Sequence, residues 1–598
     1  NGVNTTGVQY GKLQQGVSLS YDITAKAGDD KKSVVAVVGK NTSGRPATTS
    51  IDEVTTNSLS SYTSYLVNTA TSTSQPITLN ATTAYRDANG KMVFTTNDIG
   101  SRIQSRGEET KYERPENGAG SISVNPIHEF DTDHPAKRVE SWGPEFVKAR
   151  GGNSAKNNYL ALQGGGSNYL DSEEVFHGTS AEVFTANVDG SGHAIGNVLE
   201  MFDSSYNEAS GAALVTGSGN AIKNQVVIRT EGMLTGDVIG AALIKSADDE
   251  SDSEPTGDAI DNEVLSIGDP KADALYGAMS VNKNAKGVLK NNKVILLGGS
   301  VIMATGAKAT VLDEDKAIFQ GKRSELRSKE VEGNLVQLGD KLNPKPQAEG
   351  KEDPTVGQIV GGFSATNKAN KNKVIINDGA IKGIGIFKVK NEQSNHNING
   401  IDANGIYTDE NSDGNDNTVY KYYHQPGNYY IIGGMSDVEA TGNTVDINKA
   451  EPFANKQVGI WGGHYILDGS TGDIKSGNTL NVNKVKGITL SHLANFENYN
   501  FDLPENAVNG DSILTVTDPH GTDVSNTKIN VGVSGAAPVL HNGDSINLIY
   551  NRNGVNTTGV QYGKLQQGVS LSYDITAKAG DDKKSVVAVV GKNTSGRP

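Results

Sequence analysis

The sequence predicts an all-β fold, a right-handed parallel β-solenoid (β-helix) with β-rich cap segments. Three observations favour this fold: a short strand motif that returns along the middle of the chain, glycine-rich steps between its copies, and a composition with few bulky side chains. The 598 residues include 71 Gly and 6% aromatic residues. Such a composition suits a thin core of small, branched side chains.

The strand motif is an asparagine followed two positions later by an aliphatic residue and usually by a second one after two more positions. This alternation is typical of a strand with one buried face. Two copies, at Asn262 and Asn417, are degenerate. The full set of motif starts is Asn158, Asn197, Asn224, Asn262, Asn292, Asn334, Asn372, Asn417, Asn443 and Asn478.

The spacing of the motif, about 36 residues on average, predicts how the coils are arranged. Two coils of roughly 18 residues would fill one period, so residues 151–485 are expected to form a β-solenoid of about ten double-coil repeats. Each motif Asn is expected at a corner, with a left-handed backbone and a hydrogen bond to the Asn of a neighbouring coil. The motif aliphatics expected to point into the core include Val294, Leu296, Val374, Ile376, Val445 and Ile447.

Between the motif copies, a hydrophobic residue is followed by Gly-Gly or Gly-Ala, as at residues 240–241, 361–362 and 433–434. Glycine is expected there because a side chain at a sharp corner would collide with the next layer. Polar runs of variable length follow and are expected to be loops. A β-sandwich array is the rival fold, but its repeats are close to 100 residues long and nothing here recurs at that spacing.

The two ends of the chain have the same sequence, because residues 1–46 recur letter for letter as residues 553–598. The chain is therefore expected to hold one period of a tandem array and the first part of the next, and bodies that repeat head to tail build lines. Residues 1–46 are predicted to be a cap segment, and residues 47–150 a β-rich or irregular connecting region. Residues 486–598 are predicted to be the end-of-solenoid β cap that runs into the next copy.

The cap segment is expected to need a partner strand. In the second copy, residues 546–550 precede it and are expected to pair with residues 569–573. The first copy has no such strand ahead of it in the sequence. Its edge is therefore expected to be completed by the end of a preceding unit, since an unpaired strand edge rich in valine is an aggregation hazard.

The end of the period has aromatic residues at Phe496, Tyr499 and Phe501, then Gly-Asp steps at residues 510–511 and 543–544, and then alternating strands up to residue 591. This succession, with repeats such as residues 236–240, resembles the passenger domains of Gram-negative type V autotransporters. In that family a large solenoid ends in a β-rich cap just before the outer-membrane barrel. The resemblance implies display on a Gram-negative cell surface and a role in adhesion or cell–cell contact. Here another copy follows the cap, which favours a tandemly repeated or polymerising unit.

Charge and composition argue against several kinds of partner. The net charge of −15 and the pI near 5.2 disfavour nucleic acid and anionic membranes. The longest apolar stretch, residues 294–304, is interrupted by Gly298, Gly299 and Ser300 and is too short to span a bilayer. The absence of cysteine favours export through a disulfide-forming compartment.

Three segments gather groups that could bind cations, and for each of them a structural or solvated segment without a bound ion is favoured. Residues 409–417 open like a calcium loop, but the twelfth position is Tyr420 and not a bidentate Glu. Residues 248–254 form an acidic run typical of a solvated loop. His128, Asp131 and His134 lie in a strand-like segment that would split them between two faces. The sequence therefore predicts no metal site, no cofactor and no catalytic residue.

The leading hypothesis is a structural component of an extracellular filament on a Gram-negative cell surface, assembled head to tail from β-solenoid units. Its partners would be other copies of itself and a host or bacterial surface ligand. One alternative is a single adhesin passenger that binds a host or bacterial ligand through its loops. The other is a β-helix carbohydrate-active enzyme, because carboxylate pairs on a solenoid face can serve as acid and base.

Overall fold

The computed structural model describes most of the chain from residue 182 onward and short segments before it. The later ranges are residues 182–202, 209–229, 233–245, 254–283, 286–312, 323–340, 353–383, 386–390, 418–422, 429–565 and 574–591. The earlier ones are residues 4, 23–27, 33–38, 83–86, 92–95, 102–105, 122–124, 145–149, 152, 154–156, 158–163, 169–170 and 175–177. Strands dominate these residues and are numbered β1 to β47 in chain order.

Three stacked sheets form the body of the molecule, and the first consists mostly of long strands. This long-strand sheet has 12 strands, and it is parallel from the second of them onward, while the first pairs antiparallel. Its strands are β6 Ile122–Val124, β7 Glu145–Ala149, β12 Glu182–Val188, β15 Ala209–Val215, β18 Met233–Ile244, β21 Lys271–Asn282, β24 Ser300–Val311, β27 Thr355–Ser364, β30 Ala380–Ile381, β33 Tyr430–Met435, β35 Gly459–His464 and β38 His492–Ala494.

The other two sheets are entirely parallel. The short-strand sheet contains β8 Ala155–Lys156, β13 Ala194–Ile195, β16 Ala221–Ile222, β19 Ala259–Ile260, β22 Val288–Lys290, β25 Glu330–Glu332 and β28 Ala369–Asn370. The motif sheet contains β5 Arg102–Ser105, β9 Tyr159–Gln163, β14 Val198–Phe202, β17 Gln225–Ile228, β20 Glu263–Ser266, β23 Lys293–Leu296, β26 Leu335–Leu338, β29 Lys373–Ile376, β34 Thr444–Ile447, β36 Thr479–Asn483, β39 Asn498–Asp502, β42 Lys528–Gly532 and β45 Gln561–Lys564.

The remaining strands form small sheets beside or beyond this body. Two hairpins are β1 Ile23–Ala27 with β2 Val34–Val38, and β3 Thr83–Arg86 with β4 Met92–Thr95. A side sheet joins β10 Tyr169–Leu170, β11 Val175–His177, β31 Ile386–Lys390 and β32 Thr418–Tyr422. The cap sheet joins β37 Ile488–Leu490, β40 Ser512–Val516, β43 Ser545–Tyr550, β46 Ile575–Ala579 and β47 Ser585–Val590, and β41 Thr522–Asp523 pairs with β44 Val555–Asn556. Two 3-10 turns cover Arg323–Glu325 and Glu451–Phe453.

The fold is a parallel β-solenoid, as predicted, but each motif period is one coil and not two. Strands of consecutive motif copies pair directly, so that β17 lies between β14 and β20. The double-coil prediction was wrong because the glycine-rich stretch between copies is itself a strand of the long-strand sheet. One coil therefore uses a long strand, a short strand, a motif strand and outward loops.

The predicted motif copy at Asn417 does not form a coil. The strand that follows it, β32, pairs antiparallel with β31 in the side sheet. In the solenoid, the motif strand β29 pairs directly with β34, and Asn372 donates to the Oδ1 atom of Asn443 at 3.1 Å. The described strands β31 and β32, which lie between these two coils in the sequence, therefore belong to the side sheet and not to the solenoid body.

The motif asparagines form one continuous amide ladder, which confirms the predicted bonding between coils. In every member except the last, Asn478, the Nδ2 atom donates to the Oδ1 atom of the Asn on the next coil at 2.7–3.2 Å, and the backbone N–H beside it donates to the same oxygen. From the second member onward, Nδ2 also donates to a backbone carbonyl on the coil before, as from Asn334 to Leu289. The members are Asn158, Asn197, Asn224, Asn262, Asn292, Asn334, Asn372, Asn443 and Asn478.

From Asn197 onward, the left-handed backbone at this corner belongs to the residue before the asparagine, which corrects the expectation that the asparagine itself would adopt it. Eight residues in this position have φ between 54° and 68°. Four are glycines, which reach this conformation without a steric cost. They are Gly196, Lys223, Asp261, Asn291, Gly333, Lys371, Gly442 and Gly477.

The predicted collision at the glycine steps is present in the middle of the long strands. A Cβ on Gly306 would overlap the carbonyl oxygen of Gly361 on the next coil, and a Cβ on Gly361 would overlap that of Gly433. The same added atoms would approach the Cβ atoms of Asn334 and Asn372. Glycine is therefore required because this column packs against both the next coil and the amide ladder.

The six motif aliphatics predicted to point inward are all buried, at most 1% exposed. They stack in register along the axis, so that Val374 lies between Val336 and Val445. Towards the C-terminus the core contains aromatic rings, and Tyr499 occupies the column between Leu480 and Ile529. The main core is thus a stack of side chains with one layer for each coil.

Candidate assembly interface

The solenoid ends in the cap sheet, whose last two strands form a hairpin. Strands β37, β40 and β43 pair in parallel, and β47 then pairs antiparallel with both β43 and β46. The turn of the hairpin has Lys583 at φ 58°. The Asp582 carboxylate accepts the backbone N–H of Lys584 at 2.8 Å and the Ser585 hydroxyl at 2.9 Å, and the first of these hydrogen bonds lowers its pKa.

The contact between β43 and β47 is apolar and closely paired. Ile546 lies opposite Ala588, and Ile549 lies opposite Val586, with a bulge between Asn547 and Ile549. All four of these apolar side chains are fully buried, at 0% exposed. Backbone hydrogen bonds extend the pairing at both ends, from Gly543 to Val590 at 2.8 Å and from Asn551 to Lys584 at 2.9 Å.

The repeated sequence also builds the last coil of the solenoid. Strand β44 pairs in parallel with β41, and β45 pairs in parallel with β42 as the last strand of the motif sheet. Both strands lie in residues 553–564, which have the sequence of residues 1–12. The boundary of the sequence repeat is therefore not a structural boundary, because residues 553–565 and 574–591 complete the body that precedes them.

The first copy folds into the same hairpin but with a different environment. Its strands β1 and β2 pair Ile23 with Val38 and Ala27 with Val34, which is the register of Ile575 with Val590 and Ala579 with Val586 in the second copy. Within the described residues, β1 and β2 form a two-stranded sheet. Val34 is 50% exposed, whereas its equivalent Val586 is 0% exposed.

The predicted partner of residues 546–550 was wrong. These residues belong to β43, and they pair with β47, Ser585–Val590. The segment that was expected to pair there, residues 569–573, lies outside the described residues. Residues 569–573 alternate apolar and polar residues as an edge strand does, whereas residues 586–590 form an apolar run. The alternation made the wrong segment look like the partner, and the hairpin turn at residues 580–584 decides which strand faces β43.

The segments considered as cation sites are only partly described. Residues 128–134 and 409–417 lie outside the described residues. Of the acidic run, Glu254 is described; it pairs with Lys245 at 3.4 Å and accepts the backbone N–H of Lys283 at 3.0 Å. In the part of the chain that the structure describes, no three His, Asp or Glu side chains are placed to hold a metal ion, and no helix has the length and apolar character needed to cross a membrane.

A buried lysine near this acidic run is a structural centre that the sequence did not indicate. Lys329 is 0% exposed. Its ammonium donates to the carbonyl oxygens of Pro255 and Gly257 at 2.7 Å each and to that of Lys286. Burial lowers its pKa from 10.5 to about 8, against the opposing effects of Asp258 and Glu254. No local signal marks this residue, because its acceptors come from coils far away in the sequence.

Replacing Lys329 with methionine is expected to lower the free energy of unfolding by about 3 kcal/mol at pH 7, because three buried carbonyls lose their donor. The folded pKa of about 8 lies below the unfolded value of 10.5. The unfolded state therefore binds more protons between these values, and the wild-type chain gains stability relative to the variant as the pH rises through that window. Thermal melts of both proteins from pH 7 to pH 10 check both statements; a gap that narrows with pH would contradict them.

An aromatic group lies on the outer side of the long-strand sheet near the C-terminal end. Trp461 stacks on His492 with ring centroids 5.4 Å apart and an interplanar angle of 22°, and it contacts the edge of His464 at 5.4 Å. Its ring also covers Gly459, where a Cβ would overlap it. The half-buried indole therefore presents a planar, partly accessible surface.

No known protein family, curated protein or solved structure matches this chain.

Proposed function

We propose that the chain is a structural component of an extracellular filament on a Gram-negative bacterial surface, built from β-solenoid units joined head to tail. The observation that carries the proposal is that residues 553–565 and 574–591 cover the solenoid end, and their sequence is also found at residues 1–13 and 22–39. A body whose end is completed by the opening sequence of the next copy repeats without a gap. Contacts of this head-to-tail kind extend into a line unless they close into a ring.

The interior of the solenoid favours a role as a rigid spacer. The amide ladder and the aliphatic stack run along the axis through all the described coils between Asn158 and Asn478. Ladders of this kind pair each coil with its neighbours through side chains as well as backbone. A rod stabilised in this way suits reach across a distance, which adhesion and cell–cell contact require.

The finer identity of the unit is proposed as an autotransporter-like passenger. A parallel solenoid that ends in a β-rich cap is the arrangement on which that resemblance rests. Export from the cell agrees with the absence of cysteine among 598 residues. Its partners are proposed to be other copies of the same unit and a ligand on a host or bacterial surface.

Electron microscopy of the native material tests the filament. The motif sheet has 13 strands, and stacking at about 4.8 Å per coil gives a solenoid of roughly 60 Å. This is about half the rise that two coils per motif period would give. Filaments with an axial repeat of at least about 60 Å, labelled by antibody on intact cells, are expected. Discrete single particles in the native material would refute the filament.

A single adhesin passenger is the second candidate, and the observation that favours it is the outward aromatic group at Trp461. Planar aromatic surfaces with a polar rim stack on sugar rings. If the chain acts in this way, Trp461→Ala reduces adhesion to glycan-bearing cells at least about tenfold, an effect equal to about 1.4 kcal/mol. Wild-type adhesion by the variant would remove this candidate. Melting temperature is the control, because the ring is on the outer side of the sheet.

A further inference from the structure

Strands β1 and β2 form a hairpin that is identical in sequence and register to the hairpin of β46 and β47. The β46–β47 hairpin binds to the edge of β43, where Ile546 and Ile549 lie against β47; this edge is called the seat of the hairpin. In the first copy, no third strand pairs with β1 or β2 among the described residues. Because sequence and register are equal, β2 carries the same residues in the same pairing as β47, the strand that packs against β43.

The burial of equivalent residues differs between the two hairpins. Val34 at 50% exposed and Val586 at 0% are the same residue of the repeat. The Ser585 side chain is buried, while its equivalent Ser33 is half-buried. Lys26 and Lys578, on the neighbouring strand, are exposed in both copies. Among the residues whose burial is described in both copies, the change is thus found at the start of the strand that faces β43 in the second copy.

The solenoid end pairs with more than one strand of the repeated sequence. Residues 553–564 pair with β41 and β42, and the hairpin then pairs with β43. These pairings come from three separate strands at the solenoid end, in a fixed order along the chain. A segment with the same sequence therefore has the complete set of backbone and side-chain groups needed to occupy the same end of another molecule.

We propose that residues 1–46 close the solenoid end of a second copy of this chain, by adding strands to its β41, β42 and β43 in the register that residues 553–591 use here. The proposal deepens the proposed filament by naming the partner and the contact, and so it rests on that function. When the chains are separate, residues 553–591 of the same chain compete with residues 1–46 of another chain for this edge. The segment of the same chain has the advantage of a high effective concentration. Joining of separate chains therefore proceeds by exchange of the two copies.

The test is to disable the second copy and leave the first intact. In full-length Val586→Asp, a charge at a fully buried position weakens the internal hairpin, so β43 opens to the hairpin of another molecule. We expect oligomers that grow with concentration by light scattering and chromatography. Val34→Asp alone is expected to remain monomeric with an unchanged melting temperature, and the double variant Val34→Asp/Val586→Asp to remain monomeric with a lowered one.

Cysteine pairs provide a second readout that does not depend on oligomer size, because the chain has no native cysteine. Val587 lies opposite Asn547 in the internal pairing, and Val35 is its equivalent. Asn547→Cys with Val587→Cys is expected to form an intramolecular disulfide in the otherwise wild-type chain. Asn547→Cys with Val35→Cys, in the Val586→Asp background, is expected to give a ladder of disulfide-linked chains on denaturing gels.

Two outcomes overturn the contact, and they are separate from failure of the filament. A Val586→Asp chain that stays monomeric at all concentrations, or an intramolecular disulfide between positions 35 and 547, shows that residues 1–46 do not seat on a second copy. Native material without filaments, combined with oligomers of Val586→Asp, would refute the proposed function and leave the contact in place.

Discussion

Replacing Asn334 with alanine is expected to lower the free energy of unfolding by about 4 kcal/mol, the sum of several buried polar groups left without partners. Asn334 is 0% exposed and lies in the middle of the amide ladder. Its Oδ1 atom accepts the backbone N–H of Asn292 at 2.8 Å and the side-chain Nδ2 of Asn292 at 2.9 Å. Its Nδ2 atom donates to Asn372 at 3.0 Å and to the carbonyl of Leu289 at 2.9 Å.

Alanine removes all four of these hydrogen bonds at a position that is closed to solvent, with the Cβ of residue 334 close to the glycine column at Gly306. The two N–H groups of Asn292 then stay buried without an acceptor. Since coils contact only their neighbours, the damage is expected to be greatest in the coils on either side. Denaturant unfolding measures the total, and hydrogen exchange locates it.

Asn500→Ala is the matched control. Asn500 belongs to a second, shorter ladder on the accessible side of the motif sheet, where it donates to Asn481 at 2.8 Å and accepts from Asn530 at 2.9 Å. Water can replace these bonds, so a loss within about 1 kcal/mol is expected. Equal losses for the two variants would show that the amide ladder owes its effect to side-chain identity and not to burial.

The motif strands could be predicted from sequence because their signal is local. The alternation after Asn292 or Asn372 places one aliphatic face inward within five residues, and the asparagine at its head can be bonded only by an equivalent group on the next coil. Burial of Val294 and Val374 and the amide bonds at their heads followed directly from that pattern.

The coil count and the cap pairing could not be predicted because they depend on contacts between distant segments. Strand β21, Lys271–Asn282, is buried at most of its positions on both sides of the sheet, so its sequence does not alternate and its Gly-Ala step at residues 277–278 resembles a corner. Lys329 and its carbonyl acceptors are brought together by stacking alone. Pairing of β43 with β47 depends on a turn whose position only the folded hairpin fixes.

Replacing Val374 with aspartate is expected to unfold the central coils or to cost at least about 3 kcal/mol, because the carboxylate would have no partner in a narrow apolar stack. Val374 is 0% exposed and lies in register between Val336 and Val445, which are equally buried. The introduced carboxyl would have a pKa well above its ordinary value in the folded state, since burial disfavours the charged form.

The pH dependence of this variant follows from that shift. A folded pKa above the unfolded one means that the folded state binds the extra proton more readily, so the variant regains stability as the pH falls towards the unfolded value near 4.

The matched control is Ile375→Lys, on the adjacent residue of β29, which faces outward opposite Asp446. That charge is solvated and has an acidic neighbour, so a change within about 1 kcal/mol is expected. Denaturant unfolding of both variants at pH 5 and pH 8 decides the matter: a Val374→Asp loss that is small, or equal at both pH values, would mean that the position is hydrated and that the aliphatic stack is not the core of the solenoid.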